Sequence, residues 1–328
     1  MSASEAMAIA PERGASECMR QTGAPTGSGE PFSGFLASIG HRVLNGAGAY
    51  WYDASPGFFL SLPSHRLLQP SADELRALLR HQPCAGVRFP APLEGPGKLS
   101  YQIVCDAPGY GIDSLSANAR SKVRRGQRRG TVVPVPFATI AAEGIAADRD
   151  TLARQGRAVK LDERAWQRFW DAAAATAGME GWAVYVKEQM AAFLVSVRFD
   201  DSVEFMLARS RSDCLDAYPN NALIFEVARL MLEERGMRQI TFGLESLEPV
   251  APLDQFKFGM GFRAAPLRQQ VVFHPLLRAL LQPRALRANI CRFAESRGST
   301  GGFWRKALGL VRFAEAGGAF DAPVWGRA

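Results

Sequence analysis

Apolar residues recur along this chain at two spacings, and the switches from one to the other mark out its elements. In "SADELRALLRHQ" Leu75, Leu78 and Leu79 lie three and four apart, which is one face of a helix, and Ser71 with Glu74 has the form of a capping box. A further helix is predicted near Phe35 to Leu44. "AYWYDASPGFFLSL" reads as two short strands about a Ser-Pro-Gly turn, and "AGVRFP" and "LSYQIVCD" read as two more. "SLSANARSKVRRGQRRG" predicts a basic helix ending at Gly130, followed by a strand that Pro134 and Pro136 confine to a sheet edge. In "LDERAWQRFWDAAAATAG" the residues Trp166, Phe169, Trp170 and Ala173 form one helical stripe.

The later text is strand-rich. "WAVYVKE", "AAFLVSVRF" and "VEFMLARS" are separated by tight polar turns and predict an antiparallel meander. "YPNNALIFEVARLMLEERG" then reads as a helix with Leu223, Val227, Leu230 and Met231 on one face and Gly236 after its end. The strand "RQITFGLES" follows, with Ile240, Phe242 and Leu244 expected on one side and Glu245 on the other. "LDQFKFGMGF" and a last strand, "RQQVVFHP", complete the order: three strands, helix, strand, short helix, strand. Residues 1–31, rich in Ala, Gly, Ser and Pro without apolar period, are expected to be a disordered lead-in.

At 328 residues with 47% hydrophobic composition the chain has ample material for a core. Its net charge of +7 favours an anionic partner. The five cysteines are odd in number and scattered, with no C-x-x-C pair, so neither a disulfide framework nor a zinc site is suggested, which points to a reducing, cytoplasmic setting. No run of apolar residues reaches bilayer-spanning length. "GMGFRA" matches a dinucleotide fingerprint in letters, but Pro266 blocks the helix that the motif requires. No G-x-S-x-G elbow, P-loop or H-E-x-x-H occurs, the four histidines lack metal-ligand spacing, and no internal repeat is visible in the letters.

Two passages carry a family likeness. "SANARSKVRRGQRRGTVV" is similar to the helix N-x-R-x-x-(I/V)-(R/K)-(R/K) of FemAB-like proteins, and the stretch from "PNNALIF" to "LDQFKFGMGF" resembles their passage ending in a Phe-Lys pair and a glycine turn. The chain thus resembles the FemAB-like branch of the GNAT acyltransferases over roughly residues 32–275. The resemblance implies an α/β (α+β) fold of two GNAT-like halves, each a mixed, largely antiparallel sheet flanked by helices. The expected division is a first half with the basic helix over 32–137, a second over 138–275, and basic amphipathic helices over 276–328.

The implied reaction is transfer of an acyl or aminoacyl group from a CoA thioester (acetyl-CoA or longer) or an aminoacyl-tRNA to a primary amine, without a metal. The acceptor would be a small molecule, a cell-wall precursor or a lipid-linked one. Such a reaction needs bound phosphates, a channel for an extended arm, and a partner for the oxyanion. A helix N-terminus suits a pyrophosphate, and "DAYPNNAL" supplies one directly after a strand, through Asn220, Asn221 and Ala222. By resemblance, Phe256 and Lys257 are the Phe-Lys pair beside the acyl-transfer centre. A second reading stays open, in which Phe256 is core and Lys257 a solvated side chain.

Glu245 at the strand end is the candidate base and Tyr218 the candidate acid, each with a plain structural alternative: a salt-bridge partner and an aromatic anchor. Arg120, Lys122, Arg124, Arg125, Arg128 and Arg129 crowd three helical turns with no acid among them, a candidate phosphate clamp. The glycine loop of many GNAT enzymes, (Q/R)-x-x-G-x-(G/A), is absent, which counts against CoA. No long coiled-coil insertion is present, which counts against tRNA, so the donor stays open. The C-terminal stretches alternate Leu, Ile, Phe and Trp with Arg and Lys, which fits packing on the protein or peripheral contact with an anionic membrane at its inner face. The competing function is a non-catalytic protein that binds nucleic acid or an anionic membrane surface.

Overall fold

The computed structural model describes residues 29–55, 57–80, 84–157, 162–247, 251–298 and 302–320. In chain order the elements are α1 (Gly29–Ser38), β1 (Val43–Gly46), β2 (Ala49–Ser55), β3 (Phe58–Leu62), α2 (Ala72–Arg80), β4 (Gly86–Ala91) and β5 (Lys98–Cys105). There follow α3 (Ala117–Arg129), β6 (Thr131–Val135), α4 (Phe137–Glu143), α5 (Ile145–Arg154), α6 (Glu163–Ala174), β7 (Met179–Val186), β8 (Gln189–Phe199) and β9 (Ser202–Ser210). The chain continues through α7 (Pro219–Arg229), β10 (Gln239–Leu244), α8 (Ala251–Gly259), β11 (Arg263–Phe273), α9 (Pro275–Leu281), α10 (Arg284–Gly298) and α11 (Gly302–Ala316).

All eleven strands join one sheet in the order β1-β2-β3-β4-β11-β5-β10-β9-β8-β7-β6. A repeat that the letters hide is plain here. β1–β3 form an antiparallel meander, α2 crosses over, and β4 lies parallel to β3. β7–β9, α7 and β10 repeat that path. Each half then lends its last strand to the other, since β5 pairs antiparallel with β10 and β11 pairs antiparallel with β4. The two exchanged strands also pair with each other along seven residues each, closing the halves into one sheet. β6 is the edge strand beyond β7, as its prolines predicted.

The helices bury the stripes that the spacing marked. Trp166, Phe169, Trp170 and Ala173 of α6 are buried, with Trp170 stacked edge-on against Phe169 and Phe193. Val123 of α3 packs with Leu223 and Val227 of α7 over Phe205, while α2 covers Trp51, Phe59 and Phe89 with Leu75 and Leu79. The Ser71–Glu74 capping box forms: Glu74 accepts from the Ser71 N–H at 2.8 Å and the Glu74 N–H donates to Ser71 Oγ at 3.3 Å.

Three expectations need correction. The predicted helix near Phe35–Leu44 starts earlier, at Gly29, and ends at Ser38; Gly40 at φ 98° breaks it, and Val43 and Leu44 pair as β1 with Tyr52 and Trp51. Most of the expected disordered lead-in lies outside the described residues, and its last three residues are the first turn of α1. In β10 the alternation breaks at Gly243, whose φ of 83° makes a bulge, so that Leu244 packs in a different core cluster from Ile240 and Phe242.

In both halves the parallel pair diverges after three rungs. Between β3 and β4 the gap is filled by the chain itself: the Leu68 N–H donates to the Pro90 carbonyl at 2.9 Å and Leu68 is buried. The same segment buries Ser64 Oγ against Glu204 at 2.7 Å and places His65 beside Phe199. Burial, with Arg238 nearby, lowers the His65 pKa to about 4. The unfolded chain then binds more protons than the native one between pH about 4 and 6.5, so stability is expected to fall as pH drops through that window. His65→Phe should flatten that part of a urea-midpoint profile, and an unchanged profile would rule the assignment out.

Candidate functional site

The second gap, between β9 and β10, is built differently. Pairing stops at Glu204–Thr241, yet β9 runs on to Ser210. The Arg211 N–H bonds back to Ala191 of β8, whereas on the preceding residue the Ser210 N–H and carbonyl both turn away from β8. They are taken by α5: Thr151 Oγ1 accepts from the Ser210 N–H at 2.9 Å, and Thr151 and Arg154 donate to its carbonyl at 3.1 and 2.8 Å. By antiparallel alternation Ala208 turns its N–H and carbonyl into the same gap. It is also the one residue of β9 that is not fully buried. The Ala208 carbonyl also accepts from Arg209 Nη1 at 3.3 Å, and a half-buried strand edge of this kind can take an extended chain as an added strand.

The N-terminus of α7 closes one side of the gap. Tyr218 caps it in the left-handed conformation, φ 55° and ψ 45°, its carbonyl accepting from the Asn221 and Ala222 N–H groups at 3.1 and 3.3 Å. Asn220 donates to Ser210 Oγ at 2.9 Å, and its own Oδ1 is buried without a partner. Asn221 donates to Met260 Sδ at 3.4 Å, tying α7 to the turn after α8. Ala222 has no exposure and sits under Gly126 of α3. Of the three predicted cofactor-binding residues here, Asn220 edges the gap, Asn221 is buried against Met260 and Ala222 is sealed.

α3 crosses α7 at Gly126, where a Cβ would come within 2.8 Å of Ala222 Cβ and 2.9 Å of the Tyr218 carbonyl oxygen. This close approach brings Lys122 Nζ to 5.8 Å and Arg125 to 5.6 Å from the Tyr218 ring, so two of the predicted anion-binding residues do meet the predicted acid. Arg124 is exposed, and Arg120 turns aside to Asp113 at 3.2 Å. The helix is thus not wholly uncompensated, because Asp113 and Asp216 (3.6 Å from Arg129) approach it from neighbouring turns. A separate cleft of about 570 Å³, lined by Arg128, Arg129, Thr131, Tyr185 and Lys187 among others, lies at the far end of α3 from its contact with α8.

α8 supplies the other wall. Lys257 Nζ lies 3.2 Å from Asp254 and 5.2 Å from the centre of the Phe242 ring. Asp254 also accepts from the Tyr101 hydroxyl at 3.0 Å, and burial together with that carboxylate pushes the Tyr101 pKa up to about 12, so it stays a neutral donor. Phe256 is half-buried and packs against the core cluster that includes Ile103 of β5, Val123 of α3 and Leu223 of α7. Tyr101 and Asp254 were not singled out in the sequence, although Asp254 and Lys257 stand at i and i+3 on one helix, a spacing that signals a pair.

Glu245 belongs to a different network. Its carboxylate accepts from Ser100 Oγ at 2.6 Å and pairs with Lys98 at 3.1 Å, while its carbonyl accepts from Arg88 at 2.7 Å. Arg88 also donates to Gln269 at 2.6 Å, and the Lys98 ammonium rests 3.8 Å from the centre of the Phe313 ring. This chain of groups spans β4, β11, β5 and the end of β10, where the exchanged strands meet. Among the described residues no group of His, Cys, Asp or Glu side chains has the makings of a metal site, and no helix is long and apolar enough to cross a membrane.

Residues 114–252 match the family model of the acetyltransferase (GNAT) domain. No curated protein matches the chain. Among solved structures, FemX superposes with a TM-score of 0.55 at 12% identity, covering 77% of this chain and 92% of FemX. The C-terminal domain of a putative lysylphosphatidylglycerol synthetase from Agrobacterium fabrum follows with 0.49 at 12% identity, covering 73% and 86%. A tandem GNAT protein from the clavulanic acid biosynthesis pathway gives 0.40 at 10% identity, covering 69% and 78%. The parallel-pair divergence and the repeated meander agree with the FemX superposition, and the chain has a FemX-like fold in which residues 114–252 are similar to a GNAT acetyltransferase domain.

Proposed function

We propose that the protein is an N-acyltransferase that moves an acyl or aminoacyl group from a CoA thioester or an aminoacyl-tRNA to a primary amine. The observation that carries this reading is the divergence of β9 and β10, in which no described strand pairs with β9 at Ala208 on that side, set against the chain-filled one of β3 and β4. The donor's extended arm lies along the β9 edge at Ala208, and its phosphates face the start of α7 with Lys122 and Arg125 beside it. The amine nitrogen attacks the carbonyl carbon, and the tetrahedral oxyanion is steadied by strand N–H groups and by Lys257, which Asp254 and Tyr101 hold in place. The C–S or C–O bond then breaks, the amide remains, and Tyr218 gives its proton to the leaving thiolate or alkoxide and is reprotonated through the water that took the amine's proton. Because Glu245 is already engaged by Lys98 and Ser100, we assign proton removal from the amine to water and give Glu245 the task of fixing the end of β10. A lipid-linked or cell-wall amine is an acceptor consistent with this scheme.

Titration calorimetry with acetyl-CoA, a longer acyl-CoA and a charged tRNA tests the reading. One of them should bind saturably, one to one, and Lys257→Ala should weaken it about tenfold, the scale of one charge-assisted hydrogen bond. Binding of none of the three would discard the acyltransferase reading in favour of plain anion binding.

A further inference from the structure

We propose that α9 and α10 form a docking surface for an anionic phospholipid bilayer. Among the described residues, four of the ten large apolar side chains that stand exposed lie on these two helices. Leu276 and Leu280, one helical turn apart on α9, are 78% and 51% exposed; Leu286 and Phe293, two turns apart on α10, are 37% and 50% exposed. Residues 275–316 carry eight basic and two acidic side chains, and so hold six of the chain's seven net positive charges. Arg284 and Arg292 are exposed beside those apolar residues. Cations flanking protruding leucines match a surface that is negative at its headgroups and apolar just beneath, whereas a nucleic acid would leave the leucines without a partner.

The surface is rigidly mounted. Buried Arg287 donates to the Leu281 and Gln282 carbonyls at 2.8 and 3.2 Å, pairs with Glu315 at 2.9 Å and stacks 4.4 Å from the centre of the Phe320 ring, locking α9, α10 and α11 together. On the inner side Leu281, Leu310 and Phe313 pack with Phe58 and Phe273 of the sheet. α11 also meets the end of β10, since Gly309 lies against Leu247 and Phe313 against Lys98. The docking does not depend on the acyltransferase reading.

Flotation of the full chain with phosphatidylcholine–phosphatidylglycerol vesicles tests it, with pure phosphatidylcholine vesicles and added bulk tRNA as the other arms. The expected result is flotation with the anionic vesicles only, reduced about tenfold or more by Leu276→Glu/Leu280→Glu and by Arg284→Glu/Arg292→Glu. All four side chains are exposed, so the thermal midpoint should not move. Failure to float with anionic vesicles, equal flotation with the neutral ones, or indifference to both double substitutions would overturn the proposal. Tight tRNA binding lost in the Arg284→Glu/Arg292→Glu variant, without flotation, would reassign the surface to nucleic acid.

Discussion

Replacing Asp148 by Ala is expected to destabilise the protein by about 3–5 kcal/mol, the cost of leaving a buried charge without its partner. Asp148 of α5 and Arg209 of β9 are 3% and 2% exposed and meet at 2.7 Å. Burial, with a smaller push from Arg157, holds the Arg209 pKa below its ordinary value, and the Asp148 carboxylate offsets part of that penalty. The pair lies one residue from Ser210, where Thr151 and Arg154 of the same helix cap the strand edge. Losing it should therefore loosen the wall of the donor gap as well as the fold. Urea denaturation gives the number directly. A double change, Asp148→Leu with Arg209→Met, should recover most of the loss because it removes both charges, and a single substitution that cost under about 1 kcal/mol would show that water reaches the pair.

Gly126→Val is expected to cost about 3 kcal/mol, the upper range for forcing bulk into a close-packed contact, and to abolish donor binding. The added Cβ would sit 2.9 Å from a backbone oxygen, that of Tyr218, and 2.8 Å from Ala222 Cβ, neither of which is a flexible side-chain tip. The helices must separate, carrying Lys122 and Arg125 away from Tyr218 and the start of α7. Gly126→Ala should show the same direction with a smaller effect. Denaturation midpoints and donor titrations on both variants would check this, and a Val variant that bound donor normally would show that the α3–α7 crossing does not shape the site.

How much of this could be read from the amino acids depends on the range over which each feature is determined. The Ser71–Glu74 box, the end of α3 at Gly130, the edge position of β6 and the buried stripe of α6 are local, and their spacing announced them. The exchange of β5 and β11 between halves is not local: nothing in "LSYQIVCD" or "RQQVVF" says which strand each will pair with. α4 and α5 carry short, Ala-rich turns with weak period, so the segment that holds Asp148 and Thr151 was passed over. Lys257 was found through its Phe-Lys context, but Tyr101, 153 residues from the Asp254 that it contacts, gave no warning. Glu245 stood out as a strand-end carboxylate, while its engagement by Lys98 and Ser100 follows from a pairing that only the folded sheet reveals.

The most direct test of the central claim is amide hydrogen exchange of the protein with and without a bound donor, acetyl-CoA or a charged tRNA in turn. The account expects new protection at residues 206–210 of β9, 218–222 at the start of α7 and 254–259 of α8, from the donor that binds. Protection confined to the cleft around Arg128 and Lys187, or protection that left the β9 edge exchanging as freely as before, would contradict it.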